Sequence, residues 1–129
     1  MKKQVNVTLV DYEGNEMEFI QCLGAREILN FEDIYRELTG NDNATLFNSM
    51  DKIQRGDMKA ILALSIATLH KVNKQGVADK RPLTFEYFDD TFDLFENLPR
   101  MQEGFNTIFK DLKVKEDKDD KAEGKQTTK

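Results

Sequence analysis

The chain has 129 residues, 39% hydrophobic and 33% charged, with 19 Lys and Arg against 24 Asp and Glu for a net charge of -5; this length fits one domain, and the acidic balance argues against non-specific phosphate binding, which needs clustered Lys and Arg. A single Cys and a single His exclude an internal disulfide, a cysteine-based zinc cluster and a two-histidine metal site. The start, Met1-Lys2-Lys3-Gln4, has no apolar signal-peptide run, and no stretch approaches the roughly 18–20 apolar residues that cross a bilayer, so a cytosolic chain without a membrane partner is expected.

Val5, Val7 and Leu9 alternate with Gln4, Asn6 and Thr8, the period of a half-buried strand. Asp11-Tyr12-Glu13-Gly14-Asn15 supplies turn residues, with Gly14 free to take a positive φ. Met17 and Phe19 then alternate with Glu16 and Glu18, and Ile20 carries the run to Cys22. A hairpin over residues 4–22 follows, with a loop wider than two residues. Such a hairpin is marginal alone and must pack on helices or join another sheet.

From Gly24 the period becomes helical. Ile28, Phe31, Ile34, Tyr35 and Leu38 share one face, Glu27, Glu32, Arg36 and Glu37 the other, and Gly40 is a C-terminal stop. Leu46, Phe47, Met50 and Ile53 predict a short second helix ended by Gly56. Asp57 is a good N-cap for a third helix, predicted to run to about Lys74. No formal charge lies between Lys59 and Lys71, so that helix is either central to the core or shared with another chain. Residues 74–81 read as a polar loop before Pro82.

A fourth helix is predicted from Thr84, with Phe85, Phe88, Phe92 and Phe95 as its apolar stripe and Pro99 ending it or opening the next. A fifth carries Met101, Phe105, Ile108, Phe109 and Leu112, with Gly104 as a weak point. Residues 113–129 hold six lysines, five acids and only Val114 and Ala122 as apolar residues, the composition of a disordered tail. The predicted class is α+β, mostly α: one folded domain over 1–112, with the hairpin at 4–22 and helices over 24–112, then a charged tail.

Asp89, Asp90 and Asp93 lie opposite the phenylalanine stripe, where charge belongs on any amphipathic helix, so they are read as a solvated face. Asp117-Lys118-Asp119-Asp120 lacks the glycine of a calcium loop, since Ala122 stands at its sixth position. His70 has only Ser65 and Thr68 nearby, at spacings that build no triad, and Cys22 reads as a packing thiol. No phosphate-loop, dinucleotide, zinc-protease or nucleophile-elbow motif is present. Scattered basic residues and an acidic amphipathic helix do not make a DNA-recognition helix. The reading is therefore non-enzymatic, with no catalytic residue, cofactor or metal ligand assigned and no nucleic-acid partner. Nine Phe and five Met suit an apolar surface that re-packs around a partner, and Phe88, Phe92, Phe105 and Phe109 are the candidate contacts.

The segment Asn30-Phe31-Glu32-Asp33-Ile34-Tyr35, with Leu38-Thr39-Gly40, set between a hairpin, a long apolar helix, an aromatic-acidic helix and a charged tail, resembles the tail assembly chaperones of long-tailed phages and prophages of Gram-positive bacteria. The resemblance covers residues 4 to about 112 and implies a protein that keeps the helical tape measure protein soluble until the tail tube forms around it. It implies a place in the host cytoplasm and not in the finished virion. It also implies a longer frameshifted form that recruits the major tail (tube) protein. Self-association through hairpin edges or helix faces is a further expectation. The competing readings are a small cytosolic regulatory or inhibitor protein that binds one host protein, and an enzyme with an unrecognised site.

Overall fold

A computed structural model describes residues 4–108 of the chain. Phe109, Leu112 and the predicted tail lie outside the described residues. The architecture is α+β and mostly helical: among the described residues, five helices accompany one four-stranded antiparallel sheet. Strands β1 (Gln4–Val10) and β2 (Glu16–Cys22) form the predicted hairpin, paired from Gln4 opposite Cys22 to Val10 opposite Glu16. Helices α1 (Ala25–Thr39), α2 (Leu46–Gln54) and α3 (Met58–Ala67) follow. The chain then returns to the sheet as β3 (Leu69–Val72), which pairs with β2, and β4 (Ala78–Pro82). Helix α4 (Phe85–Thr91) and a last helix, α5, at residues 94–108 complete the described chain.

The sheet alternates as the sequence pattern requires. Val7, Leu9, Phe19, Gln21 and Leu69 are buried, whereas Gln4, Asn6, Glu16 and Glu18 face solvent. The predicted turn is present: the Asp11 carboxylate accepts from the amides of Glu13 (2.9 Å) and Asn15 (2.8 Å), and Gly14 takes φ +87°. Helix α5 lies on the buried face, where Gly104 permits a close approach. A Cβ there would meet the Gln21 side-chain oxygen and come within 2.7 Å of Val7 Cγ2. The predicted weak point is thus the place where helix and sheet touch.

The predicted stop at Gly40 and the predicted cap at Asp57 are both present, and a further cap is found at Thr45. Gly40 closes α1 in the left-handed conformation, its amide bonding the Arg36 carbonyl at 2.8 Å. Asp57 caps α3 by accepting from the Ala60 amide at 3.1 Å. Thr45 forms a capping box with Asn48 at the start of α2. Helix α3 takes the central place, with Ala60, Ala63, Leu64, Ile66 and Ala67 buried.

Three expectations are corrected. Helix α3 does not run to Lys74; it stops at Ala67, and Leu69–Val72 pairs with the open edge of β2. Unpaired backbone on that edge would otherwise face a helix that cannot bond it. The supposed loop at 74–81 holds all of β4 but Pro82, and β3 and β4 form a second hairpin. The third correction concerns the aromatic stripe. It is not one helix ended by Pro99: α4 ends at Thr91, Phe92 is extended, and Pro99 sits inside α5. Tyr12 donates its amide to the Thr91 carbonyl at 3.1 Å, and Asp93 restarts the helix by accepting from the Glu96 amide at 2.9 Å.

Candidate functional site

Two of the four predicted contact residues are interior. Phe88 and Phe92 are 2% and 1% exposed, so in the folded chain they offer no surface to a partner. Phe92 is the centre of an aromatic cluster, with ring centroids 5.6 Å from Phe19, 5.7 Å from Phe88 and 6.0 Å from Tyr87. Phe105 is half-buried against the same core, and Phe109 lies outside the described residues. The physical reason is the break at Phe92: leaving the helix there turns Phe92 inward and Phe95 outward.

The exposed aromatic rings are others. Phe47 is 90% exposed and Phe95 86% exposed, each in the first turn of its helix. Leu29, Met58, Tyr12 and Val77 are also largely exposed. The acids fall as predicted, Asp89 and Asp90 on the surface, except that Asp93 has the capping task described above.

A second feature lies at the opposite face of the sheet from α5. The β2–β3 register sets Ile20 against His70, which puts the Cys22 and His70 side chains on one face. Glu27, in the first turn of α1, reaches the same place. All three side chains are buried, and one donor atom from each lies within 4.8 Å of the others. His70 Nε2 is 3.0 Å from Glu27 Oε2, and His70 Nδ1 is 2.6 Å from the Asp79 carbonyl oxygen. A carbonyl only accepts, so Nδ1 carries hydrogen and donates it. The Nε2–Oε2 contact then holds one further proton, on the ring or on the carboxyl group.

The cluster opens on a concavity of about 410 Å³, also lined by Gln4, Ile20, Arg26, Ala78, Asp79 and Lys80. Both ring nitrogens of His70 are hydrogen-bonded, so using the imidazole as base for the Cys22 thiol would require breaking one of those bonds. The arrangement suits proton sharing or ligation. Glu27 corrects an expectation: its spacing assigned it to the solvated face of α1, yet it is 1% exposed. Sequence reasoning missed the cluster because Glu27 and His70 are 43 positions apart and come together through β3, a strand the sequence pattern concealed.

Among the described residues, no helix is long and apolar enough to cross a membrane. No protein family, curated protein or solved structure matched the chain.

Proposed function

We propose that this protein is a tail assembly chaperone of a long-tailed phage or prophage, a non-enzymatic protein that holds the tape measure protein soluble in the host cytoplasm while the tail tube assembles. The observation that carries the reading is the placement of Phe47 and Phe95, two large rings left in solvent beside a core that already contains Phe19, Phe31, Phe88 and Phe92. Burying one such ring against a client contributes about 1.5–3 kcal/mol, less than association costs, so a single ring contact is weak and holds only together with others. Many copies along one long helical client would make the coat tight while each copy stays exchangeable. The likeness of residues 30–40 to the chaperone family supports the same reading. The proposed client contacts therefore move from the buried Phe88 and Phe92 to the separately exposed Phe47 and Phe95, with Leu29 and Met58 as further apolar contacts.

Co-expression with the tape measure protein of the same phage tests this. The unaltered chain should keep that protein soluble and co-purify with it. The double variant F47S/F95S should fold, as judged by circular dichroism, and lose the co-purification. F92A serves as the contrast, since removing a core ring costs about 3–5 kcal/mol and should lower the melting temperature instead. Client binding undiminished in F47S/F95S would rule out this surface, and an insoluble client with the unaltered chain would rule out the function.

A further inference from the structure

We propose that Cys22, Glu27 and His70 form a binding site for one divalent transition-metal ion, with zinc as the ion their chemistry suits. Thiolate, imidazole and carboxylate are the three zinc donor types, and here one of each converges from β2, α1 and β3. The ring is already oriented: the Nδ1 hydrogen bond to the Asp79 carbonyl fixes it and leaves Nε2 as the ligating nitrogen. Nε2 and the Glu27 carboxylate already face each other at 3.0 Å across one proton, the position that a cation would take. Metal–ligand bonds of about 2.0–2.3 Å require the widest of the three pairs to draw in by about 1 Å, within the reach of side-chain adjustment.

Charge supports the same assignment. The thiolate and the carboxylate that ligation would create carry two negative charges, which one divalent cation balances. Binding would release the thiol proton and the proton shared by Glu27 and His70. Three protein donors would leave a fourth position for water or a small anion, and Arg26 and Lys80 line the same concavity as the three donors. The metal would tie the first turn of α1 to the sheet. Its site shares no residue with the proposed client surface, so either assignment can fail without the other.

The chain has one cysteine and one histidine, which makes the test residue-specific even before mutation. The reduced, chelator-treated full-length protein is titrated with cobalt(II), followed by zinc. Expected are a thiolate-to-cobalt charge-transfer band in the near ultraviolet, visible bands of tetrahedral intensity, saturation at one ion per chain, and loss of the bands as zinc displaces cobalt. Zinc should also raise the melting temperature. C22S should abolish the charge-transfer band, and H70Q and E27Q should each weaken binding at least tenfold. A wild-type spectrum without the charge-transfer band would overturn the site whether or not the variants fold. So would cobalt binding that C22S leaves unchanged, the mark of surface carboxylates, or one ion per two chains, the mark of a site between copies.

Discussion

Asn97 is buried at the junction between the first strand and the last helix. Its side-chain oxygen accepts from the Val10 amide at 2.7 Å, and its Nδ2 donates to the Val10 carbonyl at 2.8 Å and the Asp93 carbonyl at 2.8 Å. One amide thus satisfies both backbone groups where β1 reaches the sheet edge. Ala at this position leaves both without their partner, and unsatisfied groups of this kind are expensive. N97A should lose about 2 kcal/mol of stability in urea unfolding, more than a surface substitution, which stays within about 0.5 kcal/mol. The residue's helical position in the sequence gives no hint of this task, because a polar residue at that spacing reads as solvated. Glu27 misleads in the same way. Periodicity reports which side of a helix a residue lies on, and a neighbouring element can cover either side.

At the scale of elements, the two hairpins use the same turn. In the first, Asp11 bonds Asn15 through the backbone and Gly14 takes φ +87°; in the second, Asn73 bonds Val77 and Gly76 takes φ +79°. In each, the side-chain oxygen of the first residue accepts two amides, those of Gln75 and Val77 in the second turn, both at 2.9 Å. The second turn was therefore legible as Asn73-Lys74-Gln75-Gly76, the spacing of Asp11-Tyr12-Glu13-Gly14. Its strands hid it. β3 continues the apolar run of α3, and β4 reads Ala-Asp-Lys-Arg-Pro, too charged to resemble a strand. A β-branched residue cannot take the left-handed conformation cheaply, so G76V should cost about 1–2 kcal/mol. Thermal unfolding followed by circular dichroism measures the loss, and an unchanged midpoint would mean that Gly76 is not at positive φ.

At the scale of the whole molecule, three helices are inserted between two neighbouring strands. Gln21 pairs with Leu69 in the sheet, and its side chain donates to Thr68 Oγ1 at 2.9 Å, so β2 and the end of α3 meet in the interior. The hairpin, the helical insertion and α5 thereby share one core. That arrangement predicts one cooperative unfolding transition. Far-ultraviolet circular dichroism, which follows the helices, and near-ultraviolet circular dichroism, which follows the packed Phe and Tyr rings, should give the same midpoint. Two separated midpoints would show that the hairpin and the helices fold as independent units.

The sequence by itself determined the first hairpin, the starts of four helices, the stop at Gly40 and the apolar circumference of the third helix. These follow from local rules: alternation of period two, capping side chains, glycine at positive φ, and a helix with no polar face. Only the tertiary structure decided where α3 gives way to β3, where the aromatic stripe breaks, which phenylalanines face solvent, and that Cys22, Glu27 and His70 meet. Each of those outcomes depends on a partner distant in the chain. The edge of β2 demands a strand, Tyr12 takes the Thr91 carbonyl, and the sheet register carries His70 to Glu27, and none of these demands leaves a mark on the residues that answer it.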